Sequence, residues 1–175
     1  MMSMSTSPER PTRDAPTILE TDAPSATEIL GARLGHACEG GEVIALVGVL
    51  GAGKTCLVRG IARGLSALKQ RVTSPSFALI HEYAGRVPIV HVDLYRLDAA
   101  DAVNGLGLEE YLESPAVTVI EWAEKVSSLL PRDHLRIELE HLGGDRRRIL
   151  LHPLSDRYER LVRDAVAERD PTLPL

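Results

Sequence analysis

Cysteine is scarce in this chain. Cys38 and Cys56 are the only two, and neither has a second pair nearby. Such usage provides neither a zinc site nor a disulfide framework, and it points to a reducing compartment. Long apolar runs are missing too. None approaches the length of a membrane span, and the opening "MMSMSTSPERPTRDAPT" is polar and proline-dotted, with no apolar core for a signal peptide. A soluble, cytoplasmic protein is the expectation. Basic residues are outnumbered: 20 Lys and Arg stand against 25 Asp and Glu, a net charge of -5. That excludes a protein whose main work is coating nucleic acid, which needs a basic footprint.

What remains is the profile of an ordinary globular domain. Of 175 residues, 44% are hydrophobic and 26% charged, enough for one real core. Residues 1–22 are rich in Ser, Thr, Pro and charge and read as a disordered tail; residues 23–170 read as the domain, and 171–175 as a short C-terminal tail. "SATEILGARLGHACEGG" predicts a helix, with Ser25 and Glu28 at capping-box spacing and Gly40-Gly41 as its stop. "EVIALVG", "FALIHEY", "PIVHVDLY" and "VTVIEW" predict strands. Several are apolar throughout, as strands covered on both faces are. "KTCLVRGIARGLSAL" carries Leu57, Val58, Ile61, Leu65 and Leu68 at helical spacing. "LRIELEHLGGDRRRILLHPL" alternates around Gly143-Gly144-Asp145, a hairpin expected at one edge, and "SDRYERLVRDAVAERD" closes the chain as an amphipathic helix. The fold class is therefore α/β: three layers, with a mixed, mainly parallel sheet and a late antiparallel hairpin.

One stretch carries chemistry. In "VIALVGVLGAGKTCLVRG" a buried-looking strand runs into Gly48, Gly51, Gly53, Lys54 and Thr55, which fit G-x-x-x-x-G-K-[ST]. Glycines let successive backbone N–H groups turn into one hollow, and the following helix adds its unpaired N–H groups and positive dipole end. Gly51, Ala52, Gly53, Lys54, Thr55 and Cys56 are thus assigned to a nucleoside triphosphate. Lys54 serves its β- and γ-phosphates, and the Thr55 hydroxyl serves Mg²⁺. The dinucleotide fingerprint fails, because position 56 is Cys rather than Gly. A P-loop enzyme also needs an acid at the end of a second buried strand. "PIVHVD" offers Asp93 and "VTVIE" offers Glu121, and pattern alone does not rank them. One would hold metal while the other orients water. His81, His91 and Trp122 lie on or beside these strands. The histidines receive no role, and core packing is the expectation for Trp122.

"LGAGKT", "VTSPSFALIHEY", "HVDLYRL" and "VIEWAEK" followed by "LP" occur in that order over about residues 25–140. Together they resemble the TsaE (YjeE) family of P-loop ATPases, which take part in making threonylcarbamoyladenosine at position 37 of tRNAs. The resemblance implies binding of ATP or ADP with Mg²⁺, ATP hydrolysis, and two partners, TsaB and the transferase TsaD; given the acidic balance, tRNA is expected to be held by that complex, and turnover by the chain alone is expected to be slow. The resemblance places the metal on Thr55 and Glu121, gives Asp93 a part in activity, and makes Lys54, Asp93 and Glu121 the catalytic set. Thr73 to Phe77 resembles a switch-like segment. The chain departs from the family's usual loop at Val49 and Cys56, where Asp and Thr are common, and Ser76 replaces a Thr. Arg96 and the Arg146-Arg147-Arg148 run are candidates for an arginine finger. A small-molecule kinase and a non-catalytic, nucleotide-dependent adaptor stay open as alternatives.

Overall fold

The structure, a computed structural model, describes residues 15–68 and 71–167. Its strands are β1 (Thr17–Thr21), β2 (Val43–Val47), β3 (Ile80–Tyr83), β4 (Ile89–Asp93), β5 (Val117–Glu121), β6 (Leu135–Gly143) and β7 (Arg146–Pro153). They form one sheet in the order β1-β7-β6-β2-β5-β4-β3. β2 pairs parallel with β5 and β6, and β4 with β5, while β7 and β3 run against their neighbours. Five strands therefore share one direction, so the sheet is mixed and mainly parallel. β2, β5 and β4 are adjacent interior strands and are almost wholly buried, as their unbroken apolar runs require.

Helices α1 (Pro24–Ala37), α2 (Lys54–Gly64) and α5 (Asp156–Ala167) cover one face. There Ile44 and Leu46 of the sheet meet Leu34, Leu57, Ile61, Tyr158 and Leu161. Short helices α3 (Ala99–Gly105) and α4 (Leu108–Leu112) and a 3₁₀ turn at Ala123–Val126 cover Ala45, Val90, Val92 and Ile120 on the other face. The Tyr158 hydroxyl accepts the Val43 N–H at 2.8 Å and so ties α5 to the strand that leads to the glycine loop.

α1 and α2 cross closely because each offers glycines to the other. A Cβ on Gly60 would lie 2.1 Å from the Glu28 carbonyl oxygen, and one on Gly35 would lie 2.2 Å from that of Ile61. This crossing fixes the helix whose N-terminus forms the site. Gly60→Ala would gain about 1 kcal/mol of helix propensity, but overpacking against backbone costs about 1–3 kcal/mol. Sterics wins, and a lower melting temperature is expected; a rise would show that the helices separate freely.

Four local expectations change. The segment expected to be a tail through residue 22 contains β1, which caps the sheet by pairing with β7 (Leu19 opposite Ile149); residues 1–14, and the expected tail 171–175, lie outside the described residues. The β6–β7 hairpin is accordingly internal to the sheet rather than at its edge. The Ser25–Glu28 capping box is absent: Pro24 takes the first helical turn, the cap falls on Ala23, and no side chain caps it. Leu68 is 73% exposed, because α2 stops at Gly64 and its period ends before that residue.

Candidate functional site

The loop between β2 and α2 is shaped by its glycines. Gly51 and Gly53 have φ of +79° and +104°, conformations an L side chain rarely adopts. A Cβ at Gly48 would lie 2.6 Å from the Leu139 carbonyl oxygen, so β6 packs directly against the loop. Val49 and Leu50 at the loop's crest are exposed. The departure from Asp at position 49 thus falls on an outward side chain. Beside the loop lies a cleft of about 410 Å³.

Lys54 opens α2 and is buried. Its Nζ donates to the carbonyls of Gly48 (2.5 Å) and Val49 (3.0 Å) and sits 4.0 Å from the centre of the Trp122 ring. Burial lowers the ammonium's pKa, opposed by the carboxylate of Glu121. Thr55, one residue on, donates its hydroxyl to Glu121, at 2.8 Å to Oε1 and 3.1 Å to Oε2.

The sheet register brings the two acids together. β5 lies between β2 and β4, with Glu121 opposite both Leu46 and Asp93. Both carboxylates therefore end adjacent parallel strands next to the glycine loop. Asp93 Oδ2 accepts hydrogen bonds from Ser74 and from Ser76 (3.1 Å), and Oδ1 accepts the Tyr95 N–H at 2.9 Å. Ser76, where the related pattern has Thr, uses its hydroxyl to tie the 73–77 segment to Asp93.

Lys54, Thr55, Asp93 and Glu121 thus meet at one cleft, also lined by Gly51, Gly53 and Cys56. Ala52 is buried behind the loop, where only its backbone can serve a ligand. The partly exposed Cys56 thiol donates to the Pro24 carbonyl at 3.2 Å, and burial raises its pKa.

Sequence reasoning gave no role to two participants, His91 and Ser74, and placed a third, Trp122, in the core. His91 is fully buried, with Nε2 2.9 Å from Glu121 Oε1; since a carboxylate only accepts, Nε2 carries the proton, and Nδ1 is left buried without a partner. The signal was its place two residues before Asp93, on the same face of β4. Ser74 was hidden inside the 73–77 segment. Trp122 packs against the core on one side but also lines the cleft, with φ +62° and its ring 5.2 Å from that of Tyr95. A bulky residue held there signals a strained backbone of the kind that gathers at functional sites. The arginine run divides: Arg146 and Arg148 pair with Glu20, whereas Arg147 Nη2 reaches the Gly51 carbonyl at 3.3 Å. Arg96 stacks on Phe77, 4.1 Å from the ring centre.

A strand, a left-handed glycine loop and a helix N-terminus at the carboxyl edge of a parallel core, with an acid on the neighbouring strand, define a P-loop α/β protein. The family model described as "Threonylcarbamoyl adenosine biosynthesis protein TsaE" matches residues 21–149, and the chain belongs to that family. Among curated relatives, the tRNA threonylcarbamoyladenosine biosynthesis protein TsaE of Bacillus subtilis is 40% identical over 122 residues, 69% of this chain and 75% of its own. Its namesake in Treponema pallidum is 40% identical over 68% of this chain and 87% of its own. The crystal structure of Bacillus subtilis YdiB superposes with a TM-score of 0.75 at 32% identity, covering 86% of this chain and 94% of that one. Among the described residues, no helix is long and apolar enough to cross a membrane.

Proposed function

We propose that this protein is a Mg²⁺-dependent ATPase of the cytoplasm that serves threonylcarbamoyladenosine formation on tRNA, acting with the TsaB–TsaD transferase pair. One observation carries the reading: the Thr55 hydroxyl sits on the Glu121 carboxylate at the mouth of a left-handed glycine loop. The oxygen donors suit a hard divalent cation. Thr55 and Glu121 would hold Mg²⁺, which would supply charge neutralisation at the β- and γ-phosphates.

The chain's own groups divide the remaining work. N–H groups of residues 51–56 receive phosphate oxygens, and the loop's curvature aims them without reorganisation. Lys54 exchanges its two carbonyl partners for phosphate oxygens. Burial makes that ammonium's field stronger than it would be in water. Asp93 orients the attacking water. Its bonds to Ser74 and Ser76 couple that task to the 73–77 segment. ADP and phosphate are the products, and tRNA is held mainly by the transferase pair.

His91 acts as a positioning residue: it retains Glu121 while the Thr55 hydroxyl turns to the metal. Replacing it by leucine is expected to weaken Mg·ADP binding about 10- to 100-fold. The melting temperature should change little, because the orphaned Nδ1 disappears as well. Unchanged affinity by calorimetry would remove the role.

Turnover by the isolated chain is expected to be feeble, since Arg59, the one arginine among the cleft's lining residues, is held in an ion pair with Glu28 at 2.9 Å. Phosphate release measured with and without the transferase pair tests this. A rise of at least tenfold is expected, because trans-acting groups can supply about 10³–10⁵ in rate. Equal rates would contradict the reading.

A further inference from the structure

Next to the P-loop cleft, and sharing Arg59 with it, runs a second groove of about 390 Å³. Three of its eight lining residues are arginines, Arg59, Arg63 and Arg71, and none is acidic. In a chain with more acidic than basic residues, that clustering does not follow from composition. Among the described residues, Glu28 is the carboxylate that pairs with two of them, taking Arg59 at 2.9 Å and Arg63 at 4.0 Å. One negative charge thus faces two guanidinium groups whose side chains remain 44% and 43% exposed. Arg71 is exposed and makes no ion pair with any described residue. Thr73 adds a hydroxyl to the groove wall and begins the segment that Asp93 holds.

We propose that this groove receives the sugar–phosphate backbone of an RNA strand. Guanidinium groups match phosphate oxygens in a planar, bidentate fork and keep their charge at any working pH. The exposed side chain of Leu68 gives an apolar edge for sugars. An acidic protein surface would meet the same charges, but the chain belongs to a family of nucleoside-modification proteins, which favours nucleic acid. The inference rests on the proposed function in one respect only, that the pathway's substrate is RNA. It adds a direct, sequence-independent backbone contact to whatever grip the transferase has. Because Arg59 borders both cavities, bound backbone would lie within reach of the nucleotide site and bias the 73–77 segment.

The test uses the full chain and an unmodified tRNA transcript, with binding followed by fluorescence anisotropy from about 50 to 200 mM salt. Neutralising two to three phosphates gives a slope of log K against log salt of about -2 to -3. The double variant Arg63→Glu/Arg71→Glu is expected to weaken binding at least tenfold and to flatten the slope by about 2. ATP hydrolysis by the variant alone should stay unchanged, because neither residue lines the P-loop cleft. If charge reversal unfolds the protein, Arg63→Gln/Arg71→Gln should show the same direction with a smaller loss. Unchanged tRNA affinity in the variants would overturn the proposal, as would no binding by the wild type. Polyglutamate competing as well as tRNA, charge for charge, would overturn it in favour of an acidic protein. Stimulation by the transferase pair, measured without tRNA, fails or succeeds independently, so loss of that reading is distinguishable from loss of this one.

Discussion

Lys54→Ala is expected to lower ATP hydrolysis by at least about a hundredfold, the usual cost of removing one preorganised charge from a transition state. The ammonium is buried between two loop carbonyls and the Trp122 ring, so no solvent counter-charge can replace it. The fold should survive. The carbonyls of Gly48 and Val49 lose a donor at the wall of an open cleft, where water can take its place. Steady-state phosphate release and a melting curve check both halves. Hydrolysis at the wild-type rate would separate the glycine loop from the chemistry.

Glu121→Gln is expected to have a comparable effect for a different reason. Glutamine keeps the size of the side chain and can still accept from Thr55 and from His91 Nε2, so the local geometry persists. It loses the negative charge that a divalent cation needs. Hydrolysis should fall about a hundredfold or more, and the Mg²⁺ concentration giving half-maximal rate should rise at least tenfold, as metal sites lose affinity with a charged ligand. Asp93→Asn should behave otherwise, slowing turnover while leaving the Mg²⁺ requirement near that of the wild type. If the two variants exchanged these phenotypes, the assignment of metal to Glu121 and water to Asp93 would be reversed.

The centre of this molecule was legible in the sequence, and its margins were not. "VIALV", "IVHVD" and "VTVIE" are apolar because both of their faces are covered, and a covered strand advertises itself locally. Thr17–Thr21 does not. All of its five residues but Thr21 are partly or fully exposed, and it is held by pairing with β7, more than a hundred residues away. The capping pattern misled because Pro24 moves the helix start; Glu28 instead serves Arg59 across the α1–α2 crossing. At the site, residues with chemical signatures were read from type and spacing: the glycines, Lys54, Thr55 and the two strand-end acids. His91 and Ser74 were not, since their roles exist only through register. One lies diagonally across from Glu121 in the sheet, and the other reaches Asp93 from a loop nineteen residues earlier. Trp122 was assigned to the core by residue type, and its left-handed backbone, invisible in sequence, turns it to the cleft.

The proposed function rests on a cradle of main-chain N–H groups at residues 51–56 that would grip a triphosphate, with magnesium on Thr55 and Glu121. A crystal structure of the protein grown with a non-hydrolysable ATP analogue and Mg²⁺ tests it most directly. The β-phosphate should lie inside the loop, with Lys54 released from Gly48 and Val49 and the metal on those two side chains. Analogue bound elsewhere, with Lys54 still seated on its own carbonyls, would contradict it.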